Sequence, residues 1–174
     1  GLIGVGLMGH GIGKNVLEKG FALNVVAHRN REPVDDLVKQ GAKEFKTAAE
    51  IAAHSDMVIL CVTGSPQVEE TVYGENGILN GAKKGLIIAD CSTAVPDSTI
   101  KIAADLAKQG ITFVDTPMTR TPKEAEAGKL GLMVGGDASV IETIRPVLNT
   151  FSDLIVHCGA TGAAHQVKLI NNFM

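Results

Sequence analysis

A chain of 174 residues has the length of one full-sized domain and can bury about 70% of the surface its unfolded form exposes, so its stability needs no crosslinks. With 45% hydrophobic and 20% charged residues it is not a disordered tail or a polar linker. A net charge of −3 with scattered Lys and Arg argues against a nucleic-acid partner, and the longest apolar runs, such as Met57–Val62, are too short to cross a bilayer. Three cysteines, Cys61, Cys91 and Cys158, cannot all pair, and two lie in apolar runs. That pattern reads as free thiols in a reducing, cytoplasmic setting. Gly1 enters an apolar run with no initiator methionine, and Met174 falls inside a helical pattern. The reading is a segment of a longer chain, with no targeting sequence in view.

Along the chain, Leu2–Val5 reads as a strand ending in a glycine turn, and His10–Lys19 as a helix with Ile12, Val16 and Leu17 at helical spacing, stopped by Gly20. Leu23–Ala27 is a second strand. Pro33 sits at the first turn of a helix reaching Gln40, and Glu44–Phe45 is a brief strand. Thr47-Ala-Ala-Glu50 has capping-box spacing and opens a short helix. Met57–Val62 is the clearest strand; Ser65 then reads as an N-cap with Pro66 at the first helical position, leading to Tyr73. Strand Leu86–Asp90, helix Asp97–Lys108 and strand Ile111–Asp115 follow. After a loop come strand Leu130–Val134, helix Ala138–Leu148 disturbed by Pro146, strand Leu154–His157 and a helix starting near Gly162. Continuously apolar strands alternating with helices predict one α/β domain, a doubly wound, mostly parallel sheet covered on both faces.

Between the first strand and the first helix lies Gly4-Val5-Gly6-Leu7-Met8-Gly9. The first glycine permits the tight turn, the second lets backbone approach a pyrophosphate, and the third lets helix and strand pack closely, with phosphates at the helix N-terminus. Dinucleotide binding is the expectation; a glycine-rich turn that merely packs is the alternative. The second strand ends in Ala27-His28-Arg29-Asn30-Arg31, with no carboxylate before Glu32. An acid there would hold the ribose 2′-hydroxyl of NAD, whereas Arg29 can pair with a 2′-phosphate. NADP is therefore favoured over NAD, unless Arg29 is a solvated surface arginine; Arg31 reads as surface.

The last stretch, Gly159 to Asn172, places His165, Lys168 and Asn172 at i, i+3 and i+7 on one helical face. A lysine among Val167, Leu169 and Ile170 can lose part of its hydration and so titrate nearer neutrality, although spacing alone fits an ordinary exposed lysine. Asn172 offers a donor and an acceptor to a hydroxyl. His165 reads as a surface or internally satisfied histidine. His157-Cys158 lacks partners at metal-ligand spacing, so no metal site is expected.

Taken together, Gly4–Gly9 with Met8, Asp90-Cys-Ser-Thr93, Asp115-Thr-Pro117, Gly131-Leu-Met-Val-Gly-Gly-Asp137 and Lys168-Leu-Ile-Asn-Asn172 resemble the β-hydroxyacid dehydrogenases, which include 3-hydroxyisobutyrate dehydrogenase and, more distantly, 6-phosphogluconate dehydrogenase. The resemblance spans essentially the whole chain. It implies a Rossmann-type domain over residues 1–160 extended by extra strands, the start of an interdomain helix over 161–174, and an all-helical second domain beyond this chain. It also implies an oxidoreductase moving hydride between NADP(H) and a small 3-hydroxyacid or its semialdehyde, homo-oligomeric when full length. Lys168 matches the family's acid/base lysine and Asn172 its substrate-placing asparagine. Gly4, Gly6, Leu7, Met8, Gly9, Arg29 and Asn30 fall on the cofactor side, as do Val62, Thr63 and Thr93. Val62-Thr63 replaces the usual Leu-Pro. Where the family pattern reads Asp-Ala-Pro-Val-Ser-Gly-Gly, this chain has Asp115-Thr-Pro-Met-Thr119-Arg120-Thr121. That loop is similar to the sulfolactaldehyde reductase branch and places Thr119, Arg120 and Thr121 against a small anionic substrate, carboxylate or sulfonate. A non-catalytic, dinucleotide-sensing member of the same fold is the alternative.

Overall fold

The computed structural model describes residues 1–173. Its strands are β1 (Leu2–Ile3), β2 (Asn24–Val26), β3 (Lys43–Phe45), β4 (Met57–Leu60), β5 (Ile87–Asp90), β6 (Thr112–Asp115), β7 (Met118–Thr119), β8 (Leu130–Gly135) and β9 (Ser152–Gly159). The helices are α1 (Leu7–Glu18), α2 (Glu32–Lys39), α3 (Ala48–Ala53), α4 (Ser65–Tyr73), α5 (Pro96–Ala107), α6 (Pro122–Glu126), α7 (Ala138–Phe151) and α8 (Ala163–Phe173), with a 3₁₀ turn at Ile78–Asn80. The strands form a single nine-stranded sheet in the order β3-β2-β1-β4-β5-β6-β8-β7, with β9 also paired to β8. The first six strands are parallel, β8 runs antiparallel to β6 and β7, and β9 is parallel to β8.

Alternation along the strands explains the two helical layers, because successive side chains leave a strand on opposite faces. Leu2, Ile59, Ala89 and Val114 pack with Ile12, Val16, Leu37, Ile144 and Phe151 on the face covered by α1, α2 and α7. Their neighbours Ile3, Val58, Leu60, Ile88 and Phe113 pack with Ile51, Val68, Val72, Ile102 and Leu106 on the face covered by α3, α4 and α5. The doubly wound sheet expected from the apolar strands is the observed one. No helix among the described residues is long and apolar enough to cross a membrane.

Local departures from the sequence reading have physical causes. Helix α1 begins at Leu7, three residues before His10, because Gly6 serves as its N-cap in an extended conformation. At α4 the cap is Gly64 rather than Ser65, since the Ser65 hydroxyl instead accepts the N–H of Val95 at 2.7 Å. Helix α7 continues through Pro146 to Phe151, held by a buried stripe of Ile141, Ile144, Leu148 and Phe151. The loop after Asp115 contains β7 and α6, the latter opened by a Thr121–Glu124 capping box. The last helix was expected to run through Met174; that residue lies outside the described ones.

Candidate active site and cofactor cleft

The carboxyl ends of β1, β4 and β5 converge where the strand order reverses around β1, the position at which open α/β sheets leave a crevice. The three glycines there have three different constraints. Gly4 has φ +99°, and a Cβ on it would lie 2.2 Å from the Cys61 carbonyl oxygen; a Cβ on Gly9 would lie 2.1 Å from the carbonyl oxygen of Gly4. Gly6 faces open space, with nothing within 4 Å of its would-be Cβ, and it supplies no side-chain cap to α1. The first-turn N–H groups of α1 are therefore free to meet a phosphate. Beside them Leu7 is 80% exposed, and Met8 is half-buried. This cradle fits a dinucleotide pyrophosphate.

A cleft of about 610 Å³ runs from Gly6 and Leu7 past Asn30 and Glu32 to Asp36 and Lys39. Arg31 is held by Glu44 at 2.9 and 3.0 Å and by Asp35 at 3.0 Å. Arg29 is exposed and makes no ion pair among the described residues. Asn30 accepts the N–H of Glu32 at 3.1 Å, shaping the turn. On the other side of β1, Val62 follows β4 and donates its N–H to the Ser92 hydroxyl at 3.0 Å. Thr63 and Thr93 are both exposed, and their loops touch: a Cβ on Gly64 would lie 3.8 Å from the Thr93 carbonyl oxygen.

Helix α8 rises from this same edge. Its entry is fixed by Asp115, fully buried at the end of β6, whose carboxylate accepts the N–H groups of Gly162 at 2.7 Å and His165 at 2.9 Å. His165 is buried and internally satisfied. Along the helix the side chains then emerge: Lys168 is half-buried and Asn172 exposed. Lys168 makes no ion pair among the described residues, and burial without a counter-charge holds its ammonium below the usual lysine range.

The loop expected to meet a substrate anion is engaged internally. Thr119 donates its hydroxyl to the Gly131 carbonyl at 3.3 Å. Arg120, at φ +79°, gives its guanidinium to Asp153 at 2.6 Å and to the Lys129 carbonyl. The Thr121 hydroxyl donates to Glu124 within the cap of α6. An anion at this loop therefore competes with Asp153 for Arg120.

Two features went unread in the sequence. His10 places Nδ1 2.6 Å from Glu126 and Nε2 2.8 Å from Asp36. Burial disfavours its charge, but the two carboxylates outweigh that and raise its pKa. Asp90, paired with Asp115 in the sheet register, accepts the Ser92 N–H through Oδ1 at 2.9 Å, and its Oδ2 has no partner among the described residues. The sequence signals were that both carboxylates end apolar runs of equal pattern, Leu86–Asp90 and Ile111–Asp115, and that each opens one of the motifs carrying the family resemblance.

Residues 1–159 match the family described as the NAD binding domain of 6-phosphogluconate dehydrogenase. The chain belongs to the β-hydroxyacid dehydrogenase family. It is 38% identical to 2-(hydroxymethyl)glutarate dehydrogenase of Eubacterium barkeri over 100% of its own length and 58% of the relative's. With 3-sulfolactaldehyde reductase of Escherichia coli it shares 34% identity over 99% of its length and 57% of the relative's. The fold superposes on the Mycobacterium tuberculosis 3-hydroxyisobutyrate dehydrogenase solved with L-serine at a TM-score of 0.91, with 28% identity, covering 98% of this chain and 57% of that one. The chain thus spans less than two thirds of the family members it matches.

Proposed function

We propose that this chain is the dinucleotide-binding part of an NADP-preferring oxidoreductase acting on a small 3-hydroxyacid or the corresponding semialdehyde. The observation that carries the reading is the convergence of two elements on one sheet edge. An uncapped helix N-terminus behind an open Gly6 lies there, and so does the root of a helix bearing a desolvated, unpaired lysine. Gly4, Gly6 and Gly9 shape the pyrophosphate cradle, and Leu7 and Met8 lend their amides. Arg29 and Asn30 border the adenosine ribose, while Val62, Thr63 and Thr93 line the opposite wall. When bound, the nicotinamide supplies or accepts the hydride.

The chain's own residues manage the proton. In the oxidation direction, Lys168 Nζ as the neutral amine takes the proton of the substrate hydroxyl as the carbon loses hydride; in reduction, the ammonium returns it. Desolvation brings the lysine pKa toward the operating range, where acid/base transfer is most efficient. Asn172, one turn further on, orients the hydroxyl, since its amide both donates and accepts. The acid group of the substrate meets the Thr119–Thr121 loop, through Thr119 and the backbone first and through Arg120 once it leaves Asp153. Residues beyond 174, in the further domain that the longer relatives have room for, complete the cleft.

Lys168→Ala in the full-length protein tests this. Turnover should fall by roughly 10²–10⁴-fold while NADPH affinity by calorimetry stays unchanged. Retention of more than about a tenth of the turnover removes Lys168 from the acid/base role. A parent protein that binds NADPH but turns over neither carboxylate nor sulfonate substrates would favour a sensing module instead.

A further inference from the structure

We infer that His165 is a positioning residue that locks the first turn of α8, and so Lys168, onto the Ser92–Thr93 loop at the cofactor side. The inference rests on the acid/base reading of Lys168. His165 is 0% exposed, and burying an imidazole is unfavourable unless its polar atoms are satisfied. Here every one is, each by a different element. Its backbone N–H donates to Asp115 Oδ2 at 2.9 Å, Nδ1 meets the Thr99 hydroxyl on α5 at 2.8 Å, and Nε2 meets the Ser92 carbonyl at 3.0 Å. A carbonyl can only accept, so Nε2 carries a proton, while Nδ1 shares its bond with a Thr99 hydroxyl that also lies 3.3 Å from the Val95 carbonyl of its own helix turn.

Ser92 is the hub of this arrangement. Its hydroxyl accepts the Val62 N–H, its own N–H donates to Asp90, and its carbonyl accepts from His165. An unbroken hydrogen-bonded path therefore runs from the loop after β4, through the loop after β5, to the root of α8. Lys168 is three residues beyond His165, on the same helical face. A tilt of the first turn displaces Nζ relative to anything held by Val62, Thr63 and Thr93. Misplacement of a reacting group by about 1 Å costs roughly 10²-fold in rate.

The test compares His165→Leu, which keeps bulk but makes none of the ring's hydrogen bonds, with His165→Gln, whose amide retains one donor and one acceptor. Both are made in the full-length protein and assayed with NADPH or NADP⁺ and a panel of 3-hydroxyacids and their aldehydes. His165→Leu should lower kcat by roughly 10²-fold with KM and NADPH affinity changed less than about threefold, and His165→Gln should recover to within about fivefold of the parent. Full activity in His165→Leu, or no recovery in His165→Gln, overturns the inference. Should His165→Leu fail to fold, the near-isosteric Thr99→Val decides: a kcat loss of about three- to tenfold at unchanged NADPH affinity supports the role, and an unchanged kcat rejects it. Lys168→Ala separates the two readings. If it keeps its turnover, both fall; if it loses it while His165→Leu stays fully active, only the positioning role falls.

Discussion

Arg120 and Asp153 are joined by an ion pair of 2.6 Å between the loop after β7 and the start of β9, and Arg120 holds it with a left-handed backbone, φ +79°. A non-glycine residue in that region costs about 1–2 kcal/mol, and a solvent-exposed ion pair returns about 0–1 kcal/mol. Arg120→Gly should therefore leave the thermal midpoint nearly unchanged or slightly raised. Its effect on catalysis is the informative one: loss of a charged donor should raise KM for an anionic substrate about tenfold while sparing NADPH binding, and it should alter the ranking of carboxylate against sulfonate substrates. Asp153→Asn should act oppositely, freeing the guanidinium and lowering KM. Steady-state kinetics of both variants check this; unchanged KM in both assigns the anion to Thr119 and the loop backbone.

The proposed preference for NADP rests on the contrast between two neighbours. Arg31 is engaged by Glu44 and Asp35, whereas Arg29 is exposed and without an ion pair among the described residues. Arg29→Asp should weaken NADPH binding and relatively favour NADH, because a carboxylate repels a 2′-phosphate and accepts from a 2′-hydroxyl. Calorimetric titration of the unaltered chain with both cofactors is the check, and equal affinities would remove Arg29 from the role.

A second titratable device ties α1 to α2 and α6. His10 faces Asp36 and Glu126 on its two ring nitrogens, with Lys14 also 3.4 Å from Glu126. Two carboxylates can both be satisfied only by the doubly protonated ring, in keeping with a pKa raised above the ordinary 6.5. The folded state thus holds this proton more tightly than the unfolded chain. The stabilisation is complete below about pH 6.5 and is lost as pH climbs through the raised value. Thermal midpoints measured from pH 6 to 9 should fall more for the parent than for His10→Leu, and parallel curves would show that the clamp contributes nothing.

What the sequence displays and what it hides follow from range. Met57–Leu60 and Ile87–Asp90 are legible because central parallel strands are apolar on both faces, and the glycine loop because its pattern is contained in six residues, although the atom that crowds Gly4, the Cys61 carbonyl oxygen, comes from far along the chain. Ser65 shows the limit even locally: it has the composition of an N-cap, yet its hydroxyl serves Val95, thirty residues on. The partners that build the site are farther still. His10 and Glu126 are 116 positions apart, Asp115 and His165 50, and Ser92 and His165 73. Sequence spacing signalled the helical face of His165, Lys168 and Asn172, but only the packed sheet edge shows that its first member is buried. The Thr121–Glu124 capping box is local, but the helix it opens is only five residues long, too short to show a hydrophobic period.

Two glycines of one motif should fail in different ways when changed to alanine. At Gly9 the new methyl would be forced to within 2.1 Å of the Gly4 carbonyl oxygen, a backbone atom with no room to move while β1 and α1 stay packed. Overpacking of this kind costs about 1–3 kcal/mol or more, so Gly9→Ala should lower the thermal midpoint of the chain with or without NADPH. At Gly6 the methyl enters open space, and the residue's φ of −95° is open to alanine. Gly6→Ala should therefore fold with a midpoint close to the parent's. The same methyl occupies the approach that a pyrophosphate needs, and NADPH affinity should drop by about tenfold or more. Differential scanning of both variants, with and without NADPH, reads the two effects separately. A Gly6→Ala chain that is stabilised by NADPH as strongly as the parent would mean that the phosphates do not lie over the α1 N-terminus.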